Sequence, residues 1–97
     1  MNFRLTVEAQ RDLIGIIEAG ARLFGVAQAT RYNEELFTLF DLIAANPKLA
    51  RERLEITPPV RVHPFKAHLV VYLVDELGDV LILRIRHGHE DWSDPQN

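Results

Sequence analysis

Two neighbouring segments constrain this chain more than any other feature. His68-Leu69-Val70-Val71-Tyr72-Leu73-Val74 and Val80-Leu81-Ile82-Leu83-Arg84-Ile85 are rich in β-branched and aliphatic residues and are separated by the turn-type stretch Glu76-Leu77-Gly78-Asp79. They lie in two antiparallel strands expected over His68–Asp75 and Val80–Arg86. A sheet with one wet face alternates apolar and polar side chains along each strand, and these two segments do not alternate. Both faces of the sheet must therefore be covered. Helices can cover one face. The other is closed either by the loop and tail of the same chain or by another chain laid into it.

The rest of the chain supplies the remaining elements. Residues 2–7 alternate, with Phe3, Leu5 and Val7 on one side and Arg4 and Thr6 on the other, as a half-buried strand does. Thr6 can cap a helix in which Ala9, Leu13, Ile16, Ile17, Gly20 and Phe24 recur at three- and four-residue steps, ending at Gly25. A second helix follows from about Val26 to Asn46, with Ala29, Tyr32, Leu36, Leu39, Phe40 and Ile43 as its stripe and Pro47 forbidding continuation. Residues 47–59, charged and ending in Thr57-Pro58-Pro59, read as a loop. Val60–Phe65 adds a strand before the two already described, with Lys66-Ala67 as the break between them. The expected fold is α+β, in the order β-α-α-β-β-β. A helical hairpin packs on one face of an antiparallel sheet, and Leu13, Ile17, Leu36, Phe40 and Ile43 meet Phe3, Leu5, Val70 and Ile82 in the core.

At 97 residues, 47% of them hydrophobic, the chain has material for one core, and residues 1–97 read as a single domain. Chains of this size bury only about 60 to 65% of their extended surface on folding, so a partner that covers more is worth looking for. Eleven basic and fourteen acidic residues give a net charge of −3, which argues against the molecule as a whole being an electrostatic nucleic-acid binder. Lys48, Arg51, Arg53, Arg61 and Lys66 nevertheless gather in one middle segment. Cysteine is absent, which removes disulfides, thiolate zinc sites and cysteine nucleophiles together. The N-terminus lacks a signal-peptide core and no apolar run approaches a membrane span, so the expectation is a cytoplasmic protein with no membrane partner. His87-Gly88-His89-Glu90-Asp91 holds ligand-type side chains but no third ligand at a clear spacing, and neither a metal nor a cofactor is expected.

Several pieces recur in a telling order. Glu8-Ala9, Asp12-Leu13 and Ile16 lie on the first helix, Phe24-Gly25 and Ala29-Thr30-Arg31-Tyr32 open the second, and Leu42-Ile43-Ala44 precedes Asn46-Pro47. Arg53-Leu54-Glu55-Ile56 follows, then the run from Arg61 to Tyr72, then Arg84-Ile85-Arg86-His87-Gly88 and Asp91-Trp92. Their order and spacing resemble the ParE toxins of bacterial toxin-antitoxin modules, within the ParE/RelE superfamily. Leu73 stands where many relatives carry an arginine, Ala50 replaces a usual loop glycine, and Pro59-Val60 replaces a glycine-leucine pair.

The resemblance implies the toxin of a type II module of the kind that stabilises plasmids. Such a toxin inhibits DNA gyrase by binding, performs no chemistry of its own, and is neutralised in a hetero-oligomer with a ParD-like antitoxin. It does not bind DNA sequence-specifically by itself. The alternative within the superfamily is a RelE-like, ribosome-dependent mRNA endoribonuclease, for which His87, Arg61 and Arg84 would supply proton transfer and charge at the scissile phosphate. His68 reads as a strand-end hydrogen-bonding residue, and His63 and His89 as exposed. On the gyrase reading, an antitoxin segment lies on Leu69, Val71 and Leu73 with its acidic side chains meeting Arg61, Arg84 and Arg86. The target is met by His87, Asp91 and Trp92 at the strand end and tail.

Overall fold

In a computed structural model, which describes residues 2–88, the chain runs β1 (Phe3–Leu5), α1 (Val7–Phe24), α2 (Val26–Ala45), β2 (Glu52–Arg53), β3 (Val60–Phe65), β4 (His68–Val74) and β5 (Val80–His87). The helix limits follow from local chemistry. Thr6 Oγ1 accepts from Ala9 N at 3.0 Å and Glu8 sits in the positively polarised first turn of α1. Gly25 takes φ +92°, a region that other residues enter at a cost, so one residue turns α1 into α2. Before Pro47 the backbone N–H of Asn46 donates to Leu42 O and Ile43 O, closing the last turn of α2.

The sheet has the order β1-β5-β4-β3-β2. β2, β3, β4 and β5 are antiparallel neighbours, whereas β1 pairs with β5 in parallel, Phe3 opposite Val80 and Leu5 opposite Ile82. The sheet is thus mixed, where an antiparallel one was expected. The meander ends with β5 running in the direction of β1, so the pair that completes the sheet is parallel. The 47–59 segment also contains a strand. Glu52 and Arg53 pair with Arg61 and Val60, a two-residue ladder too short to show a period in the sequence.

One face of the sheet carries the main core, where Leu36, Phe40 and Ile43 of α2 meet Val70, Tyr72, Val80 and Ile82, all fully buried. Phe3 packs edge-on against Phe40 at 5.4 Å, and Phe37 against Phe40 at 5.1 Å. The pairing of β4 with β5 shifts between Val71 opposite Arg84 and Tyr72 opposite Ile82. This bulge at Leu83 lets Ile82 and Ile85, three residues apart, both face the helices. Two expected core residues do not join them. Ile17 is 36% exposed and Phe24 64%. The buried stripe of α1 runs through Ala9, Leu13 and Ile16, and Ile17 lies about 100° round the helix from Ile16, while Phe24 is the last residue of the helix.

The second face is covered in part from within. Val60, Val62 and Val71 are buried there, with Ile56 from the loop and Leu69 and Leu83 packed around them. The loop itself is held down by Tyr72, whose buried hydroxyl donates to Pro47 O at 2.8 Å and accepts from Ala50 N at 3.2 Å. Arg61 Nη1 donates to Ala50 O at 2.7 Å. Burial foremost pushes the Tyr72 phenol up, against the opposing pull of the Ala50 hydrogen bond and the Arg61 charge, so it remains a hydroxyl at neutral pH.

Two substitutions test this packing by urea unfolding. Phe40→Ala is expected to cost about 3 to 5 kcal/mol, as for a fully buried ring. Tyr72→Phe strands a buried backbone donor at Ala50 and is expected to cost about 1 to 3 kcal/mol with the fold retained.

Candidate functional site

β1 pairs with β5 only as far as Ile82, so the rest of that strand edge needs other partners. The N-terminal turns of α1 supply them. Thr6 N donates to Ile82 O and Thr6 Oγ1 to Leu83 O. Asp12 Oδ2 accepts from Ile85 N at 2.9 Å and from Arg84 Nε at 2.8 Å, while Asp12 Oδ1 accepts from Arg84 Nη2 at 3.0 Å. The result is a two-pronged ion pair plus a backbone bond on one carboxylate. Burial is the largest single influence on Asp12 and raises its pKa. The Arg84 and Ile85 hydrogen bonds and the charges of Arg84 and Arg86 together outweigh it and hold the carboxyl below its ordinary value.

Beside this anchor α1, the first turns of α2 and the β3–β4 turn enclose a groove of about 750 Å³, lined by Ile16, Ala19, Leu23, Tyr32, Lys66 and His68 among others. Its polar end is a cluster that no local pattern announces. Tyr32 OH and His68 Nδ1 are 2.7 Å apart, the Tyr32 ring packs edge-on against Phe65, and the His68 ring packs edge-on against His87, opposite it in the β4–β5 ladder. Lys66 Nζ lies 5.6 Å from the Tyr32 ring centre and pairs with Glu35 at 2.6 Å. Burial foremost, with the charge of Glu35, raises the Tyr32 pKa against a backbone hydrogen bond at Ala67. Tyr32 is therefore a hydroxyl at neutral pH, within hydrogen-bond distance of His68 Nδ1. Gly88 N donates to Ala67 O at 2.7 Å, and a Cβ on Gly88 would stand 3.0 Å from that oxygen, so the strand end is fitted to glycine.

The residues singled out from sequence separate in space. Arg61 is opposite Tyr72 and His87 is opposite His68, so the two lie four residues apart along β4, about 13 Å, and two strands apart across the sheet. Arg84 is committed to Asp12. The trio His87, Arg61 and Arg84 is thus not assembled around one point. Leu69 and Val71 do share the second face of the sheet. Leu73 pairs with Leu81, and Leu69 with Arg86. Val71 is buried, and Arg61, in register with Tyr72, belongs to the helix-side rows. His87 is exposed at the mouth of the groove. Asp91 and Trp92, expected at the target surface, and His89 and Glu90 lie outside the described residues. Among the described residues no three His, Asp or Glu side chains gather to hold a metal ion, and no helix is long and apolar enough to cross a membrane.

The Asp12 anchor gives a pH prediction. Its folded-state pKa is depressed, so its stabilisation is present above the unfolded value near 3.9 and is lost as pH falls through the lower folded value. Asp12→Asn is expected to lower stability at pH 7 by about 2 kcal/mol. Urea midpoints measured from neutral pH down to about pH 3 should fall less steeply below pH 4 in the variant than in the parent.

Residues 3–92 match the family described as the ParE toxin of the type II toxin-antitoxin system, parDE. A Mycobacterium tuberculosis protein, Toxin ParE1, is 33% identical over 89 residues, covering 92% of this chain and 91% of its own length. Toxin ParE of Escherichia coli is 32% identical over 87 residues, covering 90% of this chain and 84% of its own. A solved structure titled as the chromosomal ParDE TA system from P. aeruginosa superposes with a TM-score of 0.76 over 90% of this chain and 95% of the other. At 20% identity that likeness speaks for the fold alone. Profile, relatives and architecture agree over nearly the whole length, and the chain belongs to the ParE toxin family of type II toxin-antitoxin systems.

Proposed function

We propose that this chain inhibits DNA gyrase by binding it, and that a ParD-like antitoxin neutralises it in a hetero-oligomer by docking on the second face of the sheet. Membership of the ParE family carries the reading. The disposition of side chains supports it over the nuclease alternative. Proton transfer and phosphate neutralisation at a single bond need their groups within hydrogen-bond reach of one another. Arg61 and His87 are about 13 Å apart along the strand direction and two strands apart across the sheet, and Arg84 spends its charge on Asp12. The second face offers half-buried Leu69, Leu73, Leu81 and Leu83 with Arg86 opposite Leu69. A partner that lays apolar side chains on those leucines and acidic ones near the arginine matches that surface. The gyrase contact is assigned to the end of β5, where His87 is exposed beside the groove.

Supercoiling and message-cleavage assays on purified components separate the readings. The wild-type chain should inhibit gyrase and leave ribosome-bound message intact. His87→Gln keeps a hydrogen-bonding side chain without a titrating ring, so gyrase inhibition should persist, whereas a nuclease would lose about 100-fold or more. Message cleavage by the wild type that vanishes in His87→Gln would overturn the proposal. Removing the residues after Gly88 should abolish gyrase inhibition and spare antitoxin binding. For the antitoxin, the pair Leu69→Asp and Leu73→Asp should weaken binding by about 30-fold or more, read by titration calorimetry.

A further inference from the structure

The groove beside the Asp12 anchor opens where the described chain ends. From Thr6 beside Leu83 to Asp12 beside Ile85, helix α1 and strand β5 advance together. β5 then stops at His87, whereas α1 runs eleven residues beyond Asp12 to Leu23, about 16 Å. The helical hairpin therefore overhangs the end of the sheet, and the groove is the space beneath it. Its outer end is formed by Leu23 and Phe24, 69% and 64% exposed. Two glycines of α1 lie on its floor, and only one is explained by packing. A Cβ on Gly20 would stand 3.3 Å from the Ala29 Cβ, so α2 needs that position small. A Cβ on Gly15 would meet nothing within 4 Å among the described residues, and glycine inside a helix costs stability.

We propose that this groove is the docking site of the chain's own C-terminal segment, residues 89–97, which lies outside the described residues, with Trp92 as its anchor. Position selects this occupant first. β5 delivers the segment to the groove, because His87 lines it and Gly88 N is bonded to the O of Ala67, which lines it too. Reach agrees. The four residues from Gly88 to Trp92 span about 13 Å when extended, a little more than two helical turns, so the indole can be set on the floor between Ala19 and Leu23. Trp92 is the one large apolar side chain of the segment, and a flat ring suits a floor of glycine and alanine. Charge agrees as well. Glu90, Asp91 and Asp94 flank the tryptophan, and the groove lining carries Arg11, Lys66, His68 and His87. Lys66 already pairs with the exposed Glu35, and the acidic lining residue Asp12 is compensated by Arg84. A tether this short gives an effective concentration of about millimolar, so a single aromatic anchor suffices to hold the segment.

Trp92 is the chain's only tryptophan, so its fluorescence in the full chain reads the docking directly. Native emission should lie to the blue of its position in urea, and acrylamide should quench it severalfold less, both without dependence on protein concentration. Leu23→Asp places a charge at the outer end of the groove, and Gly15→Glu fills its floor with a side chain that repels the acidic segment. Each should weaken docking about tenfold and move both readings toward their urea values, with circular dichroism confirming that the helices remain. Leu77→Asp, at an 86% exposed position in the β4–β5 turn, should change neither reading. Native emission already at its urea position would overturn the proposal. So would a blue shift that neither groove variant moves, or one that grows with concentration and so assigns the groove to the segment of a second copy. If one groove variant loses its helices the other decides, since both positions are exposed.

Discussion

The carboxylate of Asp12 is the contact on which the rest of this structure depends. A three-residue β1 cannot finish the edge of an eight-residue β5, and an unfinished strand edge is open to pairing with other chains. Helix α1 takes over where β1 stops, Thr6 serving Ile82 and Leu83, and Asp12 serving Ile85. Arg84 then compensates the carboxylate that this work has partly buried. The exchange fixes the position of α1 relative to β5. It thereby fixes the wall of the groove.

Much of this was legible because it is local. Thr6 as a cap, Gly25 as the joint of the hairpin, Pro47 as the stop of α2 and the two non-alternating strands each carry their reason in a few neighbouring residues. What was missed depends on registers between distant segments. Asp12 and Arg84 are 72 positions apart, and a helix pattern shows Asp12 merely as a polar position. Tyr32 reads as part of a core stripe until the hairpin at Lys66-Ala67 brings His68 to its hydroxyl. The bulge at Leu83 decides which of the β5 residues face the helices, and no propensity marks it. Ile17 and Phe24 went astray for the opposite reason. Three- and four-residue steps describe a stripe about 100° wide, and α1 has apolar residues over more of its circumference than the core covers.

The two faces of the sheet differ in how completely they are closed. The helix side is closed by fully buried residues, with Tyr72 tying the loop back through Pro47 and Ala50. Among the described residues, the other side is closed around Val60, Val62 and Val71 by Ile56, with leucines of intermediate burial spread over the remaining rows. A face that is partly covered lets the chain fold by itself and still gain from further cover. That is the balance expected of a family whose members form toxin-antitoxin systems.

The cluster at the other end of the molecule adds a second tie between elements that the core already joins. Tyr32 belongs to α2, His68 to β4 and His87 to β5, and Gly88 is bonded back to the β3–β4 turn at Ala67. The hydroxyl of Tyr32 stays protonated at neutral pH because burial raises its pKa, and it lies 2.7 Å from His68 Nδ1. His68 in turn packs on His87. The exposed His87 ring is therefore linked through His68 to the Tyr32 hydroxyl, and so to the seating of α2 on the sheet end. The strand end proposed as the target surface is in this way continuous with the groove wall.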